Sequence, residues 1–213
     1  MRQTIDAAAF QQMVIHAAAA IRAEKQRIND LNVFPVPDGD TGTNMSLSIG
    51  AAAAEMKKQS FDTVGKAAQA TASALLRGAR GNSGVILSLL FRGFAKAIKE
   101  RETMDGRDLA IALDFGVAAA YKAVMKPAEG TILTVSRLAA ARAAGAARED
   151  NCFEAVLEAA IQEGQLALAD TVNQNPVLKK AGVVDAGGAG FLLILQGMLN
   201  EVRGEEMPAD EEP

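Results

Sequence analysis

Hydrophobic positions recur every three or four residues along most of the chain, which predicts amphipathic helices. In the first helix, predicted over 5–30, Phe10, Met13, Ala17 and Ile21 form one apolar stripe. The same spacing predicts seven further helices, over 43–58, 62–77, 82–101, 107–125, 130–146, 151–171 and 188–202. No run of alternating β-branched residues competes, so the pattern predicts an all-α fold of eight helices in an up-and-down bundle.

Composition agrees with closely packed helices. The chain has 213 residues, of which 49% are hydrophobic but only 4% aromatic. The net charge of −4 argues against a nucleic-acid-binding protein. No apolar run approaches the roughly 20 residues of a membrane-spanning helix. A single cysteine, Cys152, excludes an intramolecular disulfide and suits a reducing cytoplasm.

The chain divides into one domain over 1–203 and an acidic segment over 204–213, read as a tail or the start of a linker. The lone histidine, His16, lies in an alanine-rich helix, and we interpret it as a packing or hydrogen-bonding residue. Asn151 is the predicted cap of the seventh helix, with Glu154 three residues later.

The segment D-G-D-T-G-T-N at 38–44 carries the sharpest chemical signal. Asp38 and Asp40 flank a glycine, so their carboxylates can converge on one point. Two close carboxylates repel each other unless a cation lies between them, and Mg²⁺ accepts a few protein oxygens together with water and phosphate. The alternative is an ordinary turn followed by a helix cap, in which the same residue types are common.

The segment R-G-A-R-G-N-S-G at 77–84 places three glycines around Asn82 and Ser83, just before an apolar helix. Such a turn exposes backbone N–H groups that bind anions such as phosphate. The alternative is a helix–helix turn capped by one of these two side chains.

Two further connections, 126–131 with Thr131 and the glycine-rich 184–190 with Asp185, are more typical of turns when each is taken alone. The second is interpreted as a mobile turn. Loops that follow the first, third, fifth and seventh helices of an up-and-down bundle all lie at one end. All four polar connections are of this kind, so the topology predicts one shared site.

These motifs resemble the nucleotide-binding domain of bacterial fatty acid kinase, which is similar to the L subunit of dihydroxyacetone kinase. The resemblance runs in order over about 5–202 and rests on N-V-F-P-V-P-D-G-D-T-G-T-N-M at 32–45, R-G-A-R-G-N-S-G at 77–84, E-G-T-I-L-T-V-S-R at 129–137 and the stretch 175–190. It implies an eight-helix antiparallel barrel that binds ATP or ADP together with two Mg²⁺ ions at one end.

Carried over by the resemblance, Asp38 and Asp40 are the catalytic metal-binding residues, and Asn32 is a third residue at the metal. Dihydroxyacetone kinase L subunits carry an aspartate near the position of Asn32, so the asparagine favours the fatty acid kinase branch. The resemblance implies nucleotide contacts from Thr41, Gly42, Thr43, Asn44, Gly81, Asn82, Ser83, Gly84, Thr131, Asp185, Gly187 and Gly188.

The implied activity is Mg²⁺- and ATP-dependent phosphoryl transfer to a fatty acid held by a partner protein, which gives an acyl phosphate. Two alternatives stay open: a subunit that phosphorylates a small ketone, and a nucleotide-binding module without turnover. A homodimer is a further open prediction. Fatty acid kinase chains continue well beyond 213 residues.

Overall fold

The computed structural model describes residues 1–209, and within them the chain forms ten helices and no extended strand. The all-α prediction is confirmed. Eight helices are long: α1 (Ala7–Ala23), α3 (Thr41–Lys58), α4 (Val64–Gly78), α5 (Gly81–Ala97), α6 (Gly106–Ala123), α7 (Ile132–Glu149), α8 (Phe153–Gln174) and α10 (Ala186–Val202). Two are short, namely α2 (Lys25–Leu31) and α9 (Pro176–Ala181).

The two short helices are the main departure from the predicted order. The first predicted helix is interrupted at Glu24, whose φ of −112° and ψ of 9° lie outside helical geometry. Helix α9 does not show in the pattern, because its six residues contain fewer than two turns and have no periodicity. Asn175 caps it by accepting a hydrogen bond from the N–H of Val177.

The cap predicted for the helix over 151–171 is wrong. Helix α8 begins after Cys152, whose side chain makes no capping hydrogen bond. The Asn151 amide instead reaches the neighbouring α6, where it accepts from Arg107 N at 2.7 Å and donates to Asp105 Oδ2 at 2.9 Å.

The long helices close into a barrel. Each packs against the next long helix along the chain, and α10 returns to pack against α1. The interior is filled by side chains such as Phe10, Ile21, Leu87 and Phe153, each no more than 1% exposed. Burial of this apolar surface is the main stabilising term of the fold.

Glycine allows α5 and α6 to touch backbone to backbone. A Cβ at Gly93 would lie 2.2 Å from the carbonyl oxygen of Phe115, and one at Gly116 would lie 2.4 Å from that of Leu90. These contacts fix the relative height of the two helices along the barrel axis.

The end of the barrel at which α1, α4, α6 and α8 begin is closed by hydrogen bonds. Ile5 and Met104 pair through both backbone groups, and the N–H of Phe153 donates to Gln3. Asp6, Thr63 and Asp105 cap α1, α4 and α6 with their side chains. At the other end, α3, α5, α7 and α10 begin, and their N-termini surround a cleft.

Helix α10 ends at Val202, and 205–209 has no regular structure. The last part of the predicted acidic segment, 210–213, lies outside the described residues. No helix within 1–209 is long and apolar enough to cross a membrane. His16 is buried at 1% exposure, and its Nδ1 lies 2.9 Å from Glu201 Oε2, as its interpretation as a hydrogen-bonding residue requires.

Candidate functional site

One wall of the cleft is the loop between α2 and α3, which Asn32 holds in shape. The buried Asn32 Oδ1 accepts the N–H groups of Asp40 at 3.1 Å and Thr41 at 3.2 Å. Its Nδ2 donates to the carbonyl oxygen of Val36 at 3.1 Å. These three bonds wrap the loop around the Asn32 amide and fix the position from which α3 begins.

The aspartates of this loop keep their carboxylates free. Asp38 is exposed and Asp40 is partly buried, and both line the cleft. Asp40 immediately precedes α3, yet its side chain makes no capping hydrogen bond. Within residues 1–209 neither carboxylate has a hydrogen-bond donor or a cation as partner. Two negative groups therefore face the cleft without compensation from the protein.

The second wall is the N-terminus of α5. Gly81 has a positive φ of +66°, and a Cβ there would lie 2.5 Å from Asn44 Nδ2, so this turn needs glycine. The residue before the helix, Arg80, provides no side-chain cap. In the described structure the N–H groups of Gly81, Asn82 and Ser83 have no acceptor, and the first helical bond is made by Gly84. Helix N-termini with free N–H groups attract anions.

The N-termini of α7 and α10 are joined by Asp185. Its buried carboxylate accepts from Gly188 N at 2.8 Å and from the N–H of Ile132. Burial raises the pKa of the Asp185 carboxyl to about 6, although both hydrogen bonds act in the opposite direction. This aspartate is therefore shared between two helices at the floor of the cleft.

The connection from α6 to α7 completes the rim. Glu129 accepts hydrogen bonds from the Thr134 hydroxyl, from Arg137 at 3.0 Å and from Tyr121 at 3.3 Å. The bond from Thr134, followed by the contacts of Arg137, lowers the pKa of the Glu129 carboxyl. Thr131 caps α7 by accepting from Leu133 N, and its hydroxyl donates to the carbonyl oxygen of Ala128 at 2.7 Å.

These elements enclose a cleft of about 760 Å³, within the range typical of small-molecule sites. Its lining combines the free carboxylates and the α5 N-terminus with apolar side chains. The structure brings together most of the residues that the sequence predicted for the site: Asn32, Asp38, Asp40, Thr41, Asn44, Gly81, Asn82, Ser83, Thr131, Asp185 and Gly187.

Two predicted contacts on α3 lie behind the cleft wall. A Cβ at Gly42 would lie 2.1 Å from the carbonyl oxygen of Lys25, so this glycine permits α2 to pack on α3. Thr43 is engaged by Asn29, which accepts from its N–H and donates to its hydroxyl, both at 3.0 Å. Gly42 and Thr43 therefore have structural roles, and their predicted nucleotide contacts stay predictions.

Two other glycines are also packing residues. A Cβ at Gly84 would lie 2.5 Å from Ser48 Oγ, and one at Gly188 would lie 3.0 Å from Val135 Cγ2. The segment 186–190 is the buried first turn of α10, so its interpretation as a mobile turn is wrong. Glycine is used there because neighbouring helices leave no room for side chains.

Asn32 has a structural role that the sequence did not show. Its oxygen accepts two backbone N–H groups and so shapes the acidic loop, while its predicted place at the metal stays a prediction. Asn29 also holds α3 in place, and the sequence does not reveal it because a polar residue in a helix gives no local signal of a partner 14 positions away.

Sequence reasoning also missed much of the apolar wall and one cation. Val85, Ile86 and Leu89 come from α5, and Val124 follows the end of α6. Periodicity marks such positions only as helical, since it does not separate a cleft from a core. Lys126 lines the rim of the cleft as well.

The fold and this cleft define a helical-barrel domain in which an uncapped helix N-terminus and two free carboxylates line one cleft. The family model described as the DAK2 domain matches residues 35–200, so the chain belongs to the DAK2 domain family.

Relatives agree over nearly the whole chain. Protein YloV of Bacillus subtilis (strain 168) is 46% identical over 206 residues, which cover 97% of this chain and 37% of that protein. A protein of Staphylococcus haemolyticus (strain JCSC1435) is 44% identical over 213 residues, covering 100% of this chain and 38% of the relative. The chain thus spans well under half the length of these relatives.

The fold is similar to that of a solved kinase. The dihydroxyacetone kinase of C. freundii, in its native form, superposes with a TM-score of 0.69 at 19% identity, covering 94% of this chain and 35% of that one. The same enzyme in complex with AMP-PNP and Mg²⁺ gives a TM-score of 0.70. At this identity the likeness establishes the barrel fold.

Proposed function

We propose that this domain binds a Mg²⁺–ATP complex in the cleft and supports phosphoryl transfer from it. One observation carries the proposal: two unpaired carboxylates, Asp38 and Asp40, line the same cleft as three unused N–H groups at the start of α5. The first group suits a divalent cation, and the second suits phosphate. The structural neighbour bound to AMP-PNP and Mg²⁺ supports the same assignment.

The donor set fits magnesium. Mg²⁺ takes one or two protein carboxylates and fills its remaining positions with water and phosphate oxygens. The described residues contain no group of three or more histidine, cysteine or acidic side chains placed to hold a metal, and the aspartate pair satisfies this smaller requirement. Asp38 and Asp40 would hold one or two ions, with two as our prediction, and bound magnesium supplies charge neutralisation between phosphate oxygens.

Different residues of the cleft bind the phosphates and the adenine of the nucleotide. The N–H groups of Gly81, Asn82 and Ser83 bind phosphate oxygens, with the positive end of the α5 dipole behind them. The apolar wall from α5 and the end of α6 accepts the flat adenine ring. In-line transfer requires little else from the protein than this positioning and electrostatic stabilisation.

Calorimetry with Mg²⁺–AMP-PNP tests the proposal. Wild-type protein should bind, and Asp38→Asn/Asp40→Asn should lose the Mg²⁺-dependent part of the affinity. Asp62→Asn/Asp114→Asn removes the same charge from exposed positions outside the cleft and should leave binding unchanged. Equal affinity in the two double variants would refute the metal assignment.

The acceptor is the finer part of the proposal. Following the resemblance in the sequence motifs, we infer a fatty acid carboxylate presented by a cytoplasmic partner protein, which would be converted to an acyl phosphate. The named structural neighbour favours a second candidate, a small ketone such as dihydroxyacetone. ADP release stimulated by a fatty-acid-loaded partner, but not by a ketone-loaded one, separates the two.

A third outcome is binding without turnover. Nucleotide binding by the wild-type domain, with no ADP release in the presence of either loaded partner, would reduce the function to a nucleotide-binding module. A homodimer stays a prediction, which light scattering of the purified chain tests.

A further inference from the structure

We propose that Lys126 is the cationic residue of the site and that its ammonium group contacts the terminal phosphate of the bound nucleotide. This inference rests on the proposed function and adds a residue to it. Of the described residues that line the cleft, Lys126 is the one basic side chain. Transfer of a phosphoryl group builds negative charge that a positioned cation stabilises.

The register of α5 against α6 brings the end of α6 to the cleft end of α5. Gly93 of α5 contacts the backbone of Phe115 and Gly116 on the antiparallel α6. Both helices rise about 1.5 Å per residue, so Ala123, the last residue of α6, lies near the level of Ile86 on α5. Lys126 follows shortly after this helix end and lines the same cleft as the α5 N-terminus.

The lysine is also chemically free. Its side chain is exposed, and within residues 1–209 it has no carboxylate or carbonyl partner. Asp38 and Asp40 line the same cleft and are equally unpaired. Opposite charges that share one cleft without pairing with each other are each available to a separate group of one ligand.

The backbone next to Lys126 is held on its downstream side. Glu129 is bonded to Thr134, Arg137 and Tyr121, and Thr131 is bonded to Ala128. The upstream neighbour Met125 is 96% exposed and has no packing role. The connection therefore fixes where the lysine starts and leaves its long side chain free to reach a phosphate.

Calorimetry of Lys126→Met tests the assignment, with Lys122→Met as the matched control. Lys122 is an exposed lysine of the last turn of α6 that does not line the cleft. Affinity for Mg²⁺–AMP-PNP should fall roughly tenfold to hundredfold in Lys126→Met, the loss expected for one charge-assisted hydrogen bond. Affinity for adenosine should not change, and Lys126→Arg should recover part of the loss.

The outcomes distinguish an error in the lysine assignment from an error in the proposed function. If Lys126→Met binds Mg²⁺–AMP-PNP as tightly as Lys122→Met does, the lysine assignment is wrong and the proposed function stands. If adenosine binding falls in parallel, the lysine shapes the nucleoside pocket, and its assignment to phosphate is overturned. If the wild-type domain binds no Mg²⁺–AMP-PNP, the proposed function fails, and the lysine assignment fails with it.

Discussion

Two pairs of aspartates lie at opposite ends of the barrel and use their carboxylates differently. At the closed end, Asp105 accepts from Asp108 N and from Asn151, while Asp108 accepts from Asp105 N and pairs with Arg101 at 3.2 Å. At the cleft, Asp38 and Asp40 have no such partners among the described residues.

The carboxylates of Asp105 and Asp108 have all their partners within the protein. Burial raises the pKa of Asp108, while at Asp105 hydrogen bonds from Asp108 and Asn151 outweigh the effect of burial and lower the pKa. The comparison teaches that acidic residues near a helix start are assigned by their hydrogen bonds. A pair that is satisfied caps a helix, and a pair that is left open is available to a ligand.

The largest effect on stability should come from a side chain added at Gly42, behind the loop that carries Asp38 and Asp40. Gly42→Ala forces a methyl group into the Lys25 carbonyl and should destabilise the fold by about 3 kcal/mol, because backbone cannot move as a flexible side chain can. Urea unfolding measures this change.

The control for that substitution lies in the same helix. A methyl group added at Gly50 would meet nothing within 4 Å, so Gly50→Ala should stabilise α3 by about 0.5 to 1 kcal/mol. Equal effects of the two substitutions would contradict the close approach of α2 to α3.

A third kind of carboxylate, buried at the cleft floor, should make stability depend on pH. The folded pKa of Asp185 is raised to about 6, so the folded state binds its proton more tightly than the unfolded state does. The contribution of Asp185 to the free energy of unfolding is therefore most favourable below about pH 4. It falls by about 2 to 3 kcal/mol as the pH rises through about 6.

Asp185→Asn removes that titration while it keeps an oxygen for the N–H groups of Ile132 and Gly188. Relative to wild type, the variant should gain free energy of unfolding between pH 4 and 7, by about 2 kcal/mol. Parallel stability profiles for the two proteins over this range would show that Asp185 is not the group responsible.

A smaller effect on stability should distinguish the aspartates of the closed end from those of the cleft. Asp105→Ala removes the cap of α6 and should destabilise the protein by about 1 kcal/mol without changing nucleotide affinity. Asp38→Ala should weaken nucleotide binding and change stability by less than about 0.5 kcal/mol. Thermal melts and calorimetry on both variants measure the two effects, and the reverse pattern would invalidate the comparison.

The smallest effect concerns the rim. Arg137 pairs with Glu129 at 3.0 Å, but both side chains are about half exposed, so Arg137→Met should change stability by only about 0.5 kcal/mol. Chemical denaturation at low and high salt measures it, and a loss above about 2 kcal/mol would show that the rim network is part of the core.

Much of the fold and part of the site followed from local pattern. The apolar stripe through Phe10 and Ile21 identified a helix, and the spacing around Asp38 and Asp40 identified an acidic loop. The up-and-down topology then predicted that polar connections meet at one end, and the described cleft joins them. The sequence did not predict which residues of each connection line the cleft and which pack behind it.

Side-chain partners are the part that local pattern does not show. Thr43 is bonded to Asn29, and Asn32 uses its oxygen for two backbone groups. Lys126 gave no signal because a lysine after a helix end is common on any surface. Such assignments depend on contacts that are distant in sequence.

The sequence by itself determined the helical class, because periodic burial of apolar residues is a local property of the chain, and it determined which loops carry carboxylates, glycines and hydroxyls. Only the tertiary structure decided that Gly42 packs, that Asp185 joins two helix N-termini and that Asp38 and Asp40 stay open. The physical reason is that a polar group's role depends on whether the folded chain satisfies its hydrogen bonds, and that is settled by neighbours that folding brings together.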